Sequence, residues 1–171
     1  MAFAHTAEAG SVELEDFMLD VSAKLTANRR LVITLSNQTR EMLVCKQSNT
    51  FQGILRVEPD RLLPEGKGTV LGIEGDESSA AQAAAGGVVL LVGDTVEALF
   101  FAWNPLDQPM VSAAIVGEAG TLSTLDPAEQ LRQVFALASE DGGEGENERF
   151  RWSWSTGEFT GFDLREKEVT A

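Results

Sequence analysis

The chain has 171 residues, 43% of them hydrophobic, with a mean hydropathy of −0.06, the size and balance of one water-soluble domain with a real core. Lys and Arg number 13 against 27 Asp and Glu, a net charge of −14 that repels nucleic acid and anionic lipid. A lone cysteine, Cys45, and a lone histidine, His5, exclude an internal disulfide, a cysteine-built metal site and histidine-based triads.

Residues 1–10 carry no periodic pattern and are expected to be disordered, which leaves 11–171 as a single domain. The opening Met1-Ala-Phe-Ala-His has neither a basic region nor an apolar core, so it reads as lacking a secretory leader. The expected location is cytoplasmic, with any meeting with a membrane made from the water side after release. Ser11 is a candidate N-cap. After it Leu14, Phe17, Met18, Val21 and Leu25 recur at spacings of three and four, predicting a helix over about 11–27 with one apolar face. Glu13, Glu15, Asp16, Asp20 and Lys24 cover much of the other side. Two readings fit this helix: a surface element docked on the core, or an amphipathic helix that leaves the body for a membrane interface.

Leu31 to Ser36 alternates as a strand. The Asn37-Gln38-Thr39 turn after it also spells a glycosylation sequon. Met42–Lys46, Phe51–Val57 and Thr69–Ile73 are further strand candidates, with a Pro64-Glu65-Gly66 turn before the last. A central hairpin follows over Gly86–Trp103, two apolar runs broken at Gly93-Asp94. Neither run alternates strictly, so both of its faces should be covered. Pro105 and Pro109 fix an irregular connection, and Met110–Val116 is the next strand. Asp126-Pro127 opens a second helix reaching about Ala138, whose buried face would be Leu131, Val134, Phe135 and Ala138. Residues 140–148 read as a glycine-acid loop. Phe150–Trp154 and Glu158–Arg165 form a closing hairpin. Many short strands with two helical exceptions predict a mainly β fold, an antiparallel β-sandwich flanked by two α-helices.

Motifs for catalysis are missing. The chain has no phosphate-cradling glycine loop and no nucleophile elbow, and no carboxylate pair suited to glycosidase work. It is therefore expected not to be an enzyme and to need no cofactor. The acidic run at 140–148 does not match an EF-hand, so no metal ligands are assigned. Trp103, Trp152 and Trp154 serve as core residues or, for Trp103 beside the proline loop, as an interfacial anchor.

The order of these pieces resembles the actinoporins, pore-forming cytolysins. The matching segments are Leu63-Pro64-Glu65-Gly66-Lys67, Ala84-Ala85-Gly86-Gly87-Val88-Val89, Leu99-Phe100, the Arg30–Asn37 strand and turn, and Pro105-Leu106-Asp107. The aegerolysins, small acidic lipid-binding β-sandwiches, are a second resemblance, which the two helices suit less. The actinoporin resemblance implies a helix-flanked β-sandwich that binds membrane lipid, its N-terminal helix detaching to line an oligomeric pore. Leu14, Phe17, Met18, Val21 and Leu25 would be the inserting face, and Trp103, Pro105, Asp107 and Pro109 the lipid- or partner-facing loop. Family members hold phosphocholine with clustered tyrosines. This chain has no tyrosine, and Ala128–Gln133 stands where the tyrosine-rich helix lies, so the sequence offers no aromatic cage for choline. The expected partner is a zwitterionic rather than anionic lipid, with homo-oligomers at the membrane. The alternative is a non-toxic fold relative serving as a soluble protein- or glycan-binding module.

Overall fold

The computed structural model describes residues 6–157 and 159–167. In chain order the elements are β1 Thr6–Glu8, α1 Val12–Lys24, β2 Arg30–Gln38, β3 Leu43–Gln52, β4 Ile54–Val57, β5 Leu62–Leu63 and β6 Lys67–Glu74. They continue with β7 Ala84–Val92, β8 Val96–Asn104, β9 Val111–Glu118, α2 Pro127–Phe135, β10 Gly143–Glu146, β11 Phe150–Ser155 and β12 Phe159–Glu166. Two sheets face each other. One runs β1-β6-β2-β12-β11-β10, with β4 sharing the β1 edge of β6; the other runs β5-β3-β7-β8-β9. Among the described residues every pairing is antiparallel except one: β12 lies parallel to β2, Phe162 opposite Leu35. This is the helix-flanked β-sandwich that the strand pattern predicted.

Leu31, Ile33 and Leu35 of β2 point between the sheets to meet Val88 and Leu90 of β7, Phe100 of β8 and Phe162 of β12. Phe100 and Phe162 stack across this gap, 5.7 Å between centroids. The intervening residues Val89 and Leu99 face outward and are sealed under α2 with Val134. The central hairpin is thus apolar on both faces because each is covered.

Helix α1 closes the outside of the other sheet. The Ser11 hydroxyl accepts the Leu14 N–H at 3.1 Å, capping its first turn. Leu14, Val21 and Leu25 are buried against Val32, Val57 and Val70, with Phe17 and Met18 half-buried beside them. Two glycines make the seat: a Cβ on Gly72 would stand 2.7 Å from Val21 Cγ1, and one on Gly68 2.7 Å from Leu14 Cδ2. Where α1 ends, Glu74 accepts the Thr26 and Ala27 N–H groups at 2.7 and 3.0 Å and the Arg56 guanidinium at 2.6 Å. Burial works to raise the Glu74 pKa, but those donors outweigh it and hold the carboxyl below its usual range.

Two expectations change. Residues 6–8 are not disordered: β1 pairs with the start of β6, Thr6 opposite Thr69, and the Thr6 hydroxyl bonds Asp60. The glycine-acid stretch is not a loop, since β10 pairs with β11. Its glycines leave room for indole rings, for a Cβ on Gly145 would lie 2.6 Å from Trp152, while Glu146 faces Arg151 at 3.2 Å and Lys167 at 3.7 Å. The turn expected after β2 is there, held by its sequon: the buried Asn37 amide donates to the Glu41 and Leu63 carbonyls and accepts from Thr39. His5 and Glu158 lie outside the described residues. Among the described residues no helix is long and apolar enough to cross a membrane.

Candidate functional site, an aromatic cleft beside the second helix

Successive outward residues of β8 build this site. Glu97, buried at one end, accepts the Leu122 and Ser123 N–H groups at 3.0 and 2.9 Å and the Ser123 hydroxyl at 2.6 Å. Lys46 stands 3.6 Å away. Burial works to raise the Glu97 pKa, yet the Ser123 hydroxyl and the Ser123, Gly120 and Leu122 N–H groups hold it at about 2. The carboxylate thus ties down the loop that leads into α2. Leu99 and Phe101 follow under the helix, and Trp103 ends the row.

Helix α2 is capped by Asp126, which accepts the Glu129 N–H at 2.8 Å. A polar residue sits at its inner face: Gln130 is fully buried. Its amide N–H groups reach the Leu122 carbonyl at 2.9 Å and Gln47 at 3.0 Å, and its oxygen accepts from Asn49 at 2.6 Å. Gln47 and Asn49 are on β3, four and two residues before Phe51, so this network fixes α2 against the strand that supplies the cleft's far wall.

Between them lies a cleft of about 430 Å³, within the range of small-molecule pockets. Phe51, Phe101, Phe135 and Trp103 line it together with Leu131. The rings meet edge to face, Phe51–Phe101 at 5.9 Å, Phe101–Phe135 at 6.1 Å and Trp103–Phe135 at 5.8 Å between centroids. The Trp103 indole N–H donates to Gln52 at 3.2 Å, which fixes that ring. Arg132 stands at the rim, paired with Glu129. Among the described residues no hydroxyl, thiol, imidazole or carboxylate lines the cleft, and its rings offer binding surface and cation–π faces.

Of the residues assigned from sequence, only Trp103 belongs to this cleft. Pro105 is buried, Asp107 and Pro109 are exposed, and their loop is held by Arg29, which donates to the Leu106 carbonyl at 2.9 Å. The α2 face differs from expectation too: Val134 and Gln130 are its buried residues, and Phe135 is 47% exposed. Although the chain has no tyrosine, phenylalanine and tryptophan rings cluster here. Elsewhere, burial and then Asp60 push the thiol of the half-buried Cys45 up to about 12, which disfavours the reactive thiolate. Among the described residues no group of three or more His, Cys, Asp or Glu is placed to hold a metal ion.

The fold is a β-sandwich of two facing sheets, each covered on its outside by one helix. Among solved structures the chain is similar to the crystal structure of the lipid binding protein Nakanori, with a TM-score of 0.76 over 90% of this chain and 78% of that one, at 14% identity. No family model matches the chain, and no curated protein matches it.

Proposed function

We propose that this protein binds membrane lipid and that the aromatic cleft is its contact. The observation that carries the reading is Phe135, a large ring left 47% exposed over Trp103 and Phe101 where it could have been buried. Leu137, 51% exposed, extends the patch past the helix end. The lipid-binding character of Nakanori, which shares the fold, supports the same reading. With a net charge of −14, the chain favours zwitterionic over anionic surfaces, and the ring faces suit a cationic headgroup. Vesicle co-sedimentation tests this. The wild type should pellet with zwitterionic vesicles and not with anionic ones. Phe135→Ala and Trp103→Ala should each weaken binding by about tenfold, the worth of one buried aromatic. Failure to bind zwitterionic vesicles, or equal binding by Phe135→Ala, refutes the assignment.

Pore formation through α1, by a homo-oligomer, is the second step of this proposal. The amphipathic helix supports it, with Val12 and Leu19 exposed at 72% and 58% on its outer face. Release would expose Leu14, Val21 and Leu25, each at about 1.5–3 kcal/mol, so insertion into the bilayer must repay that sum. A Val21→Cys/Gly72→Cys pair in a Cys45→Ser background would lock the helix where the two positions touch. Dye release that survives the oxidised lock removes the pore step and leaves lipid binding standing.

A further inference from the structure

On the sheet that α1 covers, the outer face of β2 changes character along its length. Val32 lies under the helix beside Phe159, and Thr34, Ser36 and then Gln38 emerge from it. Register sets two rows of three across the strands: Thr34, Gly161 and Ser155, then Ser36, Asp163 and Ser153. Neighbouring strands stand about 4.8 Å apart, so each row spaces its polar groups at about the width of a sugar ring. Gly161 leaves a gap at the centre of its row.

A groove runs over these rows. It holds about 350 Å³ beside α1 and about 190 Å³ further toward β11, and both parts share Thr34, Ser36, Gly161 and Asp163. Met18 and Phe159 form its apolar wall on the helix side. Asp163 Oδ1 accepts from Arg165 Nε and Nη2 at 3.2 and 3.1 Å, which orients the carboxylate and leaves Oδ2 as an acceptor. Ser155 accepts the Gly161 N–H at 3.1 Å, so its own O–H remains to donate. The Thr34 hydroxyl, beneath the rim, has no hydrogen-bond partner among the described residues. A buried hydroxyl without a partner is costly, and here it adjoins a hollow lined with other hydroxyls.

We propose that this groove binds a neutral polyhydroxylated ligand of the pyranose class. An oriented carboxylate takes two ring hydroxyls, serine hydroxyls flank it on both sides, and the Phe159–Met18 wall receives a C–H face of the ring. A net charge of −14 and the carboxylates of Asp163 and Glu15 in the groove exclude anionic ligands. The site lies on the opposite sheet from the aromatic cleft and does not depend on the lipid reading.

Heteronuclear NMR titration with glucose, galactose, mannose and N-acetylglucosamine tests it. At least one sugar should give saturable shifts at residues 153–155 and 161–163. Asp163→Asn, which keeps the shape, should weaken binding by about tenfold, the value of a hydrogen bond to a charged group. Gly161→Val, which fills the gap with a strand-favouring side chain, should abolish it. Phe135→Ala should bind sugar as the wild type does. The proposal is overturned if none of the four sugars gives saturable shifts, if the shifts map to the aromatic cleft, or if Asp163→Asn binds unchanged. Asp163→Asn decides the question should Gly161→Val fail to fold.

Discussion

Replacing Glu97 by Gln is the sharpest perturbation the structure offers. The side chain keeps its size and one carbonyl oxygen, so packing is preserved, but the charge that holds the Leu122 and Ser123 N–H groups is lost. An amide NH2 would also be set against those donors. The folded carboxyl titrates at about 2 against an ordinary value of 4.5, which corresponds to about 3 kcal/mol of stability. Since the folded pKa is depressed, that contribution is complete above pH 4.5. It declines as protons compete and disappears once the pH drops through about 2. Urea unfolding of wild type and Glu97→Gln should therefore differ by about 3 kcal/mol at neutral pH, with the gap closing toward zero at the acid end. A difference that stays constant with pH would refute the reasoning, because the loss would then come from the amide set against those donors rather than from the missing charge.

Two further outcomes are expected. Gly72→Val drives a side chain into the place of Val21 and should cost about 1–3 kcal/mol by overpacking, read as a lowered melting temperature; an unchanged melt would mean that α1 is not seated on β6. Cys45, with its thiol raised to about 12, should resist a thiol-reactive disulfide reagent at pH 8 in the folded protein and react at once in urea, and rapid labelling of the native chain would contradict its burial.

The elements that could be read from sequence are those with a long pattern. The apolar run through β7 and β8 declared a doubly covered hairpin, and the three-and-four spacing from Leu14 to Leu25 declared α1. Short elements escaped because three residues of β1 or two of β5 carry no period. The β10 stretch was unreadable for another reason: Gly143 and Gly145 look like loop residues until Trp154 and Trp152 are seen opposite them. The cleft escaped because its rings come from β3, β8 and α2, far apart in the chain. A signal did exist, since Leu131 and Phe135 sit four apart on α2. Yet the stripe was read as a buried face, whereas the buried positions of α2 are Gln130 and Val134.

The parallel strand has a consequence for how the chain is made. β12 follows all the other described elements in the chain, and its place is between β2 and β11. Until it arrives, β2 has only β6 on one side and an open edge on the other, with Leu31, Ile33 and Leu35 lacking the cover of Phe162 and Leu164. One wall of the sandwich therefore stays split until β12 has emerged and inserted. A chain truncated before Phe159 carries a bare, apolar strand edge, the kind of edge that pairs with its own copies.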